Sequence, residues 1–215
     1  MTNDDSIVFI VDDDVRIREA LGELLASHGI VAHAFASAGE YVKADKPKRP
    51  ACLVLDVELP DINGLDLQNQ IADGDHPPIV FITGHGDIPS TVRAIKHGAV
   101  DFLTKPFSDA ALMQAIRTAV AQDRKAHAER ANLDVLRQRY LDLTPREREV
   151  LPLVTSGLLN KQAAAELGIS EVTLQIHRRN VMQKMAAVSL ADLVRIAEKL
   201  QIPVTHSRRT GEDEK

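Results

Sequence analysis

Asp12, Asp13 and Asp14 stand in one run, and Asp56, Thr83 and Lys105 follow at wide spacing; each lies at or just beyond the end of a short apolar stretch. Carboxylates gathered in one place repel one another unless a hard cation neutralises them. Oxygen ligands and retained water suit Mg²⁺, which binds through one or two carboxylates and a phosphate oxygen. An aspartate in such a cradle is a nucleophile toward a phosphoryl group. Asp56 suits that role. Lys105 would pair with the phosphoryl oxygens as a point charge, and Thr83 would donate a hydrogen bond to them. Phosphoryl transfer asks for little beyond positioning and charge neutralisation. Asp14 reads better as a solvated charge or helix-start residue than as a ligand.

These residues can meet only if their elements deliver them to one edge. Apolar runs at 7–11, 31–35, 52–55, 79–82 and 100–103 alternate with helix-like stretches at 15–28, 38–44, 64–72, 89–97 and 108–121. Three of the runs are almost wholly apolar, which suits strands covered on both faces. Five strand–helix units in a row predict a doubly wound, five-stranded parallel sheet, an α/β domain over 1–121. Ligands of such sheets bind beyond the carboxyl ends of the strands, where these residues stand.

The rest of the chain is organised differently. A length of 215 residues suits two domains. Net charge is −8 over 1–121, +2 over 122–141 and +1 over 142–215, so nucleic-acid binding must be argued from a motif and not from overall charge. The stretch 122–141 is charged, with Leu133, Leu136 and Tyr140 at helical spacing, and is expected to be a helical linker. From 142 to 205 four helices are expected. Thr144, Pro145 and Glu147 start the first with capping-box spacing, and Gly157 ends it. The second covers about 160–167 and stops at Gly168, Ser170 caps a third over about 171–185, and Ser189 opens a fourth. The tail, 206–215, is polar and expected to be flexible. Cys52, the single cysteine, cannot form an internal disulfide and reads as a buried small hydrophobe. No run approaches the ~20 apolar residues of a membrane span, and the acidic N-terminus lacks a basic signal-peptide start. A cytoplasmic protein without membrane contact is the expectation.

Two helices joined by a three-residue turn make a helix-turn-helix. In the second of them Leu174, His177, Val181 and Met185 fall on one stripe and are expected to face the core, His177 as a packed histidine. The opposite side carries Gln175, Ile176, Arg179, Met182 and Gln183. Gln can pair with adenine, Arg with guanine, and Ile can touch a thymine methyl. Thr173, Arg178, Lys184 and Lys161 suit phosphate contacts.

The runs IVDDD (10–14), LVLDVELPDINGLDL (53–67), FITGHGD (81–87) and DFLTKPF (101–107) resemble the receiver domains of two-component response regulators, a flavodoxin-like fold. The run LTPREREVLPLVTSGLLNKQAAAELGISEVTLQIHRRNVMQKM (143–185) resembles the DNA-binding domain of the LuxR/NarL type. With ITGHGD, the KPF ending and NVMQKM, the whole chain resembles the FixJ subgroup. That resemblance implies a phospho-acceptor at Asp56 and Mg²⁺ held by Asp12, Asp13, Asp56 and the backbone carbonyl of Glu58. It implies a cis Lys105–Pro106 peptide and a change of position by Thr83 and Phe102 on phosphorylation. It further implies a sensor histidine kinase as phosphoryl source, promoter DNA and RNA polymerase as partners, and a homodimer on activation. Gln175, Ile176 and Arg179 become the base readers, although many relatives carry lysine or arginine at Gln175, so the target sequence stays open. The fourth helix is a dimer contact in that family, or simply core. An enzyme is not expected. Aspartate-nucleophile phosphatases similar to haloacid dehalogenases need a second aspartate two positions on, and Glu58 stands there. A DNA binder that uses its first domain only to dimerise remains the alternative.

Overall fold

The computed structural model describes residues 5–72, 76–84 and 88–203, and the chain divides into two compact units, Met1–Ala128 and Glu129–Lys215. The expected tail, 206–215, and residues 85–87 of the FITGHGD run lie outside the described residues.

In the first unit strands β1 (Ile7–Val11), β2 (Val31–Phe35), β3 (Ala51–Asp56), β4 (Ile79–Thr83) and β5 (Asp101–Thr104) alternate with helices α1 (Val15–Ser27), α2 (Ala38–Lys43), α3 (Gly64–Ile71), α4 (Ile88–Lys96) and α5 (Asp109–Leu141). All neighbouring strands pair in parallel, in the order β2-β1-β3-β4-β5. That order explains the apolar runs. Every residue of β1, β3 and β4 is buried, while the edge strands β2 and β5 are partly exposed. Side chains alternate along each strand, so two cores form. Ile7, Phe9, Val11, Leu53, Leu55, Ile79 and Phe81 pack on one face with Tyr41, Leu65, Leu67 and Ala94, from α2, α3 and α4. Val8, Ile10, Cys52, Val54, Val80 and Ile82 pack on the other with Leu21, Leu25, Leu112 and Ile116, from α1 and α5. Cys52 is fully buried, and burial pushes its thiol pKa up.

The fifth helix departs from expectation. It starts on its cap, Ala111 N–H donating to Ser108 Oγ at 3.2 Å, but it does not end at 121. It continues without interruption to Leu141, through the stretch read as a separate linker. No glycine or proline stands between Ser108 and Thr144, so nothing in the backbone stops it. Each end of the polar stretch is also tied to a unit. Asp123, 4% exposed, accepts the Ala51 N–H at 2.7 Å at the start of β3. Leu136 is buried in the second unit's core, with Tyr140 packed against it.

The second unit adds α6 (Pro145–Thr155), α7 (Asn160–Glu166), α8 (Glu171–Lys184) and α9 (Leu190–Lys199). Val150, Leu151, Ala163, Leu174, Val181, Met185 and Leu193 form its core. Gly157 and Gly168 take positive φ, 82° and 64°, where a side chain would be strained, and so end α6 and sit after α7. The Thr144 capping box forms as its spacing predicts: Thr144 N–H donates to Glu147 Oε2 at 2.8 Å, and Glu147 N–H donates to Thr144 Oγ1 at 3.3 Å. Glu147 is nearly fully buried, and Lys184 at the end of α8 donates to the same Oε2 at 2.7 Å. The pair ties the end of α8 to the start of α6.

Burial opposes the Glu147 charge, but the bonds from Lys184 and Thr144 outweigh it and hold the carboxyl below its ordinary 4.5. A lowered pKa means the stabilisation is fully present above that ordinary value and is lost as pH falls through the lowered one. Glu147→Gln should therefore weaken the second unit by about 1–2 kcal/mol at pH 7. Hydrogen exchange of the α6 and α8 amides should show the wild-type advantage at neutral pH and its disappearance in acid. An equal advantage at all pH values would contradict this.

Candidate functional site

The parallel register delivers the acidic residues to one edge. β1 and β3 run side by side with Val11 opposite Leu55, so Asp12 and Asp56 leave adjacent strands at nearly the same level. Asp56 is itself paired with Ile82, one residue before Thr83. Asp12 is fully buried, Asp56 is 5% exposed and Thr83 is fully buried. Asp13 is exposed on the rim. One carboxylate oxygen from each of Asp12, Asp13 and Asp56 lies within 4.8 Å of the others.

Lys105 reaches into this pocket. Its Nζ lies 2.7 Å from Asp12 Oδ2 and 2.7 Å from Asp56 Oδ2. Its backbone N–H donates to the Thr83 carbonyl at 2.7 Å, which ties the end of β4 to the residue after β5, and the Lys105–Pro106 peptide is cis. Burial works against the Lys105 ammonium, but the hydrogen bonds to Asp12 and Asp56 outweigh it and raise its pKa. Burial pushes the Asp12 carboxyl up, and the Lys105 and Asp14 hydrogen bonds offset this only in part. Counted as ionised, three carboxylates against one ammonium leave a formal charge of −2, which a divalent cation would balance. All the donors are oxygen, which suits a hard ion of that kind.

Asp14 does not join the cluster. It caps α1, accepting the Arg16 N–H at 2.9 Å, and its hydrogen bonds to Arg16 hold the carboxyl down at about 2. The Glu58 side chain is exposed, and its N–H donates to Asp56 Oδ1 at 3.0 Å. Phe102 is half-buried, with its ring centroid 6.1 Å from that of Phe81.

Three residues that support the pocket were not legible from local spacing. Arg18 Nη1 donates to the carbonyls of Asp12 and Asp13 at 2.7 and 2.8 Å. Asp61, in the loop after Asp56, accepts from Gly39 N–H at 2.8 Å and Ala38 N–H at 3.3 Å and so pins that loop to α2. Gly64 packs its α-carbon against the backbone at the end of β3. A Cβ there would collide with the Asp56 carbonyl oxygen and come within 3.1 Å of Val57 Cα. Only the glycine could have been suspected beforehand, since it follows the Asn63 cap in a loop that must turn back tightly.

In the second unit α7 and α8 form the expected helix-turn-helix. Leu174, Val181 and Met185 are fully buried, while Gln175, Ile176 and Arg179 are exposed, as is Lys161 at the start of α7. Thr173 is half-buried, with its hydroxyl 2.8 Å from that of the capping Ser170. Arg178 donates to Asn160 Oδ1 at 2.9 Å and so links α8 to α7. Lys184, expected to be a phosphate contact, is exposed at the end of α8 and donates to Glu147 and, at 3.3 Å, to the Asp142 carbonyl. One expectation needs correction. Met182, expected on the outer face, packs against the core.

A five-stranded parallel sheet of this order, with an acidic cluster and a bridging lysine at its carboxyl edge, followed by a capped helix-turn-helix, defines a two-domain signalling regulator. Residues 8–117 match the response regulator receiver domain, and residues 141–197 match the luxR family of bacterial regulatory proteins. The chain is 49% identical to nodulation protein W of Bradyrhizobium diazoefficiens over 95% of its own length and 91% of that protein's. Transcriptional regulatory protein FixJ of Rhizobium meliloti is 40% identical over 90% of this chain and 95% of that protein. The solved structure of the response regulator StyR superposes with a TM-score of 0.79 at 47% identity, covering 91% of this chain and 99% of that one. The chain belongs to the response-regulator family, in the group that joins a receiver to a LuxR-type DNA-binding domain. Among the described residues no helix is long and apolar enough to cross a membrane.

Gly64→Ala should lower the stability of the first unit by about 1–3 kcal/mol through overpacking. Because the displaced atoms belong to Asp56 and Val57, phosphorylation by acetyl phosphate should slow as well. Unchanged melting and unchanged phosphorylation would show that the contact does not constrain the acceptor.

Proposed function

We propose that this protein is a phosphorylation-dependent transcriptional regulator in which Asp56 takes a phosphoryl group from the histidine of a sensor kinase. One observation carries the reading: Lys105 bridges Asp12 and Asp56 in a pocket where a third carboxylate, Asp13, lies close by. A carboxylate oxygen of Asp56 attacks phosphorus, the phosphorus–nitrogen bond of the donor breaks, and the imidazole nitrogen leaves with the electron pair and takes up a proton. Asp12, Asp13, Asp56 and the Glu58 carbonyl would hold Mg²⁺, which would supply charge neutralisation for the incoming phosphoryl oxygens.

Lys105 exchanges its bond to Asp56 for one to a phosphoryl oxygen. The Thr83 hydroxyl donates to another, and Phe102 follows into the space beside it. The surface of α4 and β5 changes in consequence, which favours a homodimer. Two α8 helices then meet promoter DNA at a roughly two-fold site. Gln175, Ile176 and Arg179 read bases, while Lys161, Thr173 and Arg178 hold phosphates. Lys184 is a positioning residue that fixes α8 through Glu147. The protein acts in the cytoplasm with RNA polymerase as its eventual partner, and slow loss of phosphate from Asp56 serves as a timer rather than as a metabolic activity.

With acetyl phosphate and Mg²⁺ present, the wild-type protein should gain mass in sedimentation and bind its DNA more tightly, and Asp56→Asn should do neither. A wild type indifferent to the donor, or a responsive Asp56→Asn, would overturn the relay and leave a DNA binder that dimerises without it. Asp13→Asn should weaken Mg²⁺ binding about tenfold or more in calorimetry, and unchanged binding would remove Asp13 from the ligand set. Arg179→Ala should cost about 1–3 kcal/mol of DNA affinity and relax selectivity at one base pair. A uniform loss across all sequences would make it a phosphate contact instead.

A further inference from the structure

The outward face of α8 carries a residue that the helix-turn-helix reading does not use. Val172 is 67% exposed and Ile176 is 56% exposed, high values for β-branched aliphatic side chains. With Arg179 and Gln183, both exposed, they fall at i, i+4, i+7 and i+11, one stripe along the helix. Leu174, Val181 and Met185 lie on the opposite side, fully buried. Val172 therefore stands on the presented face, in the first turn of a helix that runs Glu171–Lys184.

Residues four apart on a helix are neighbours, so Val172 and Ile176 make one apolar patch across the first two turns. The cap at this end is satisfied without Val172: Thr173 N–H donates to Ser170 Oγ at 3.1 Å. The patch sits beside exposed Arg179 and Gln175. That combination of apolar and hydrogen-bonding groups suits a surface that is polar and anionic but offers isolated methyl groups. The N-terminal part of a recognition helix is the part that meets base edges, and the major groove offers an apolar group only at the thymine C5-methyl.

We propose that Val172 joins Ile176, already on the base-reading face, as a second thymine-methyl contact. The half-site presents thymines opposite the first two turns of α8, and Gln175 and Arg179 supply the hydrogen bonds around them. The proposal rests on the DNA-binding reading above and adds a specificity determinant to it.

Deoxyuridine keeps every hydrogen-bonding group of thymidine and lacks only the methyl, so it isolates the interaction. A site is first selected from random duplexes with the phosphorylated full-length protein, and each thymine is then replaced singly by deoxyuridine. At one or more thymines in each half-site, affinity should fall about fourfold, the effect of one buried methyl. Val172→Ala should bind the intact site about as weakly as the wild type binds the substituted one, and should be insensitive to deoxyuridine at one of those positions. Position 172 is exposed and alanine is a better helix former than valine, so folding is retained and the free variant should sediment like the wild type. Specific binding with no methyl dependence, or a variant as methyl-sensitive as the wild type, overturns this proposal alone. A change in the mass of free Val172→Ala also overturns it and makes the patch a protein contact. Failure to bind any duplex specifically overturns it together with the DNA-binding reading.

Discussion

An imbalance of charge organises the first unit. Two buried carboxylates and one on the rim face a single ammonium, and every strand end around them is placed to hold that arrangement. Like charges so close together in a partly desolvated setting are costly unless something compensates them. Lys105 offsets part of the repulsion by contacting Asp12 and Asp56 at once. The remainder is what makes the pocket receptive. In the proposed reading a divalent cation would relieve it, and an incoming phosphoryl group would bring new negative charge for Lys105 to meet.

The sheet topology is the means of building this. Only a parallel sheet brings consecutive strands to the same edge with their carboxyl ends aligned. The order β2-β1-β3-β4-β5 sets the three fully buried strands side by side, so that the two aspartates and Thr83 issue from interior strands with rigid neighbours on both faces. Lys105 follows directly on the edge strand β5 and reaches the aspartates through a long, partly exposed side chain. The contrast between buried acids and a partly exposed base follows from position in the sheet.

Much of this was legible in the amino-acid order because two simple signals agree. The apolar runs are short and nearly unbroken, which separates buried parallel strands from helices, and the chemically distinctive residues follow directly on those runs. Thr144, Ser170 and Ser189 marked helix starts through their hydroxyls, and the structure uses all three as caps. What escaped notice depends on partners distant in sequence. Asp61 meets α2 more than twenty residues back, Asp123 meets the start of β3 from 72 residues away, and Lys184 meets Glu147 from 37. No local pattern distinguishes such a side chain from a solvated charge. The extent of α5 was missed for another reason. The spacing of Leu133, Leu136 and Tyr140 marked 122–141 as helical, but its charge set it apart from the apolar stretch before it, and only the lack of any helix-breaking residue tells that the two are one helix.

Lys184 and Lys105 illustrate a distinction that separates structural from functional charge in this chain. Both lysines end at buried or nearly buried carboxylates 2.7 Å away. Around Glu147 the account closes: one acid meets one base, the remaining bonds go to the Thr144 cap, and the pair fixes one helix against another. Around Asp56 it does not close, since one base meets two acids with a third, Asp13, close by, and a fully buried threonine stands at the neighbouring strand end. A balanced buried pair has little reason to rearrange, because breaking it strands a charge without water. An unbalanced one would gain from a cation, and in the proposed reading its lysine would leave one carboxylate for an incoming anion without leaving the pocket. That difference in stoichiometry, more than the presence of charged residues as such, separates the part of the protein that switches from the part that holds its recognition helix still.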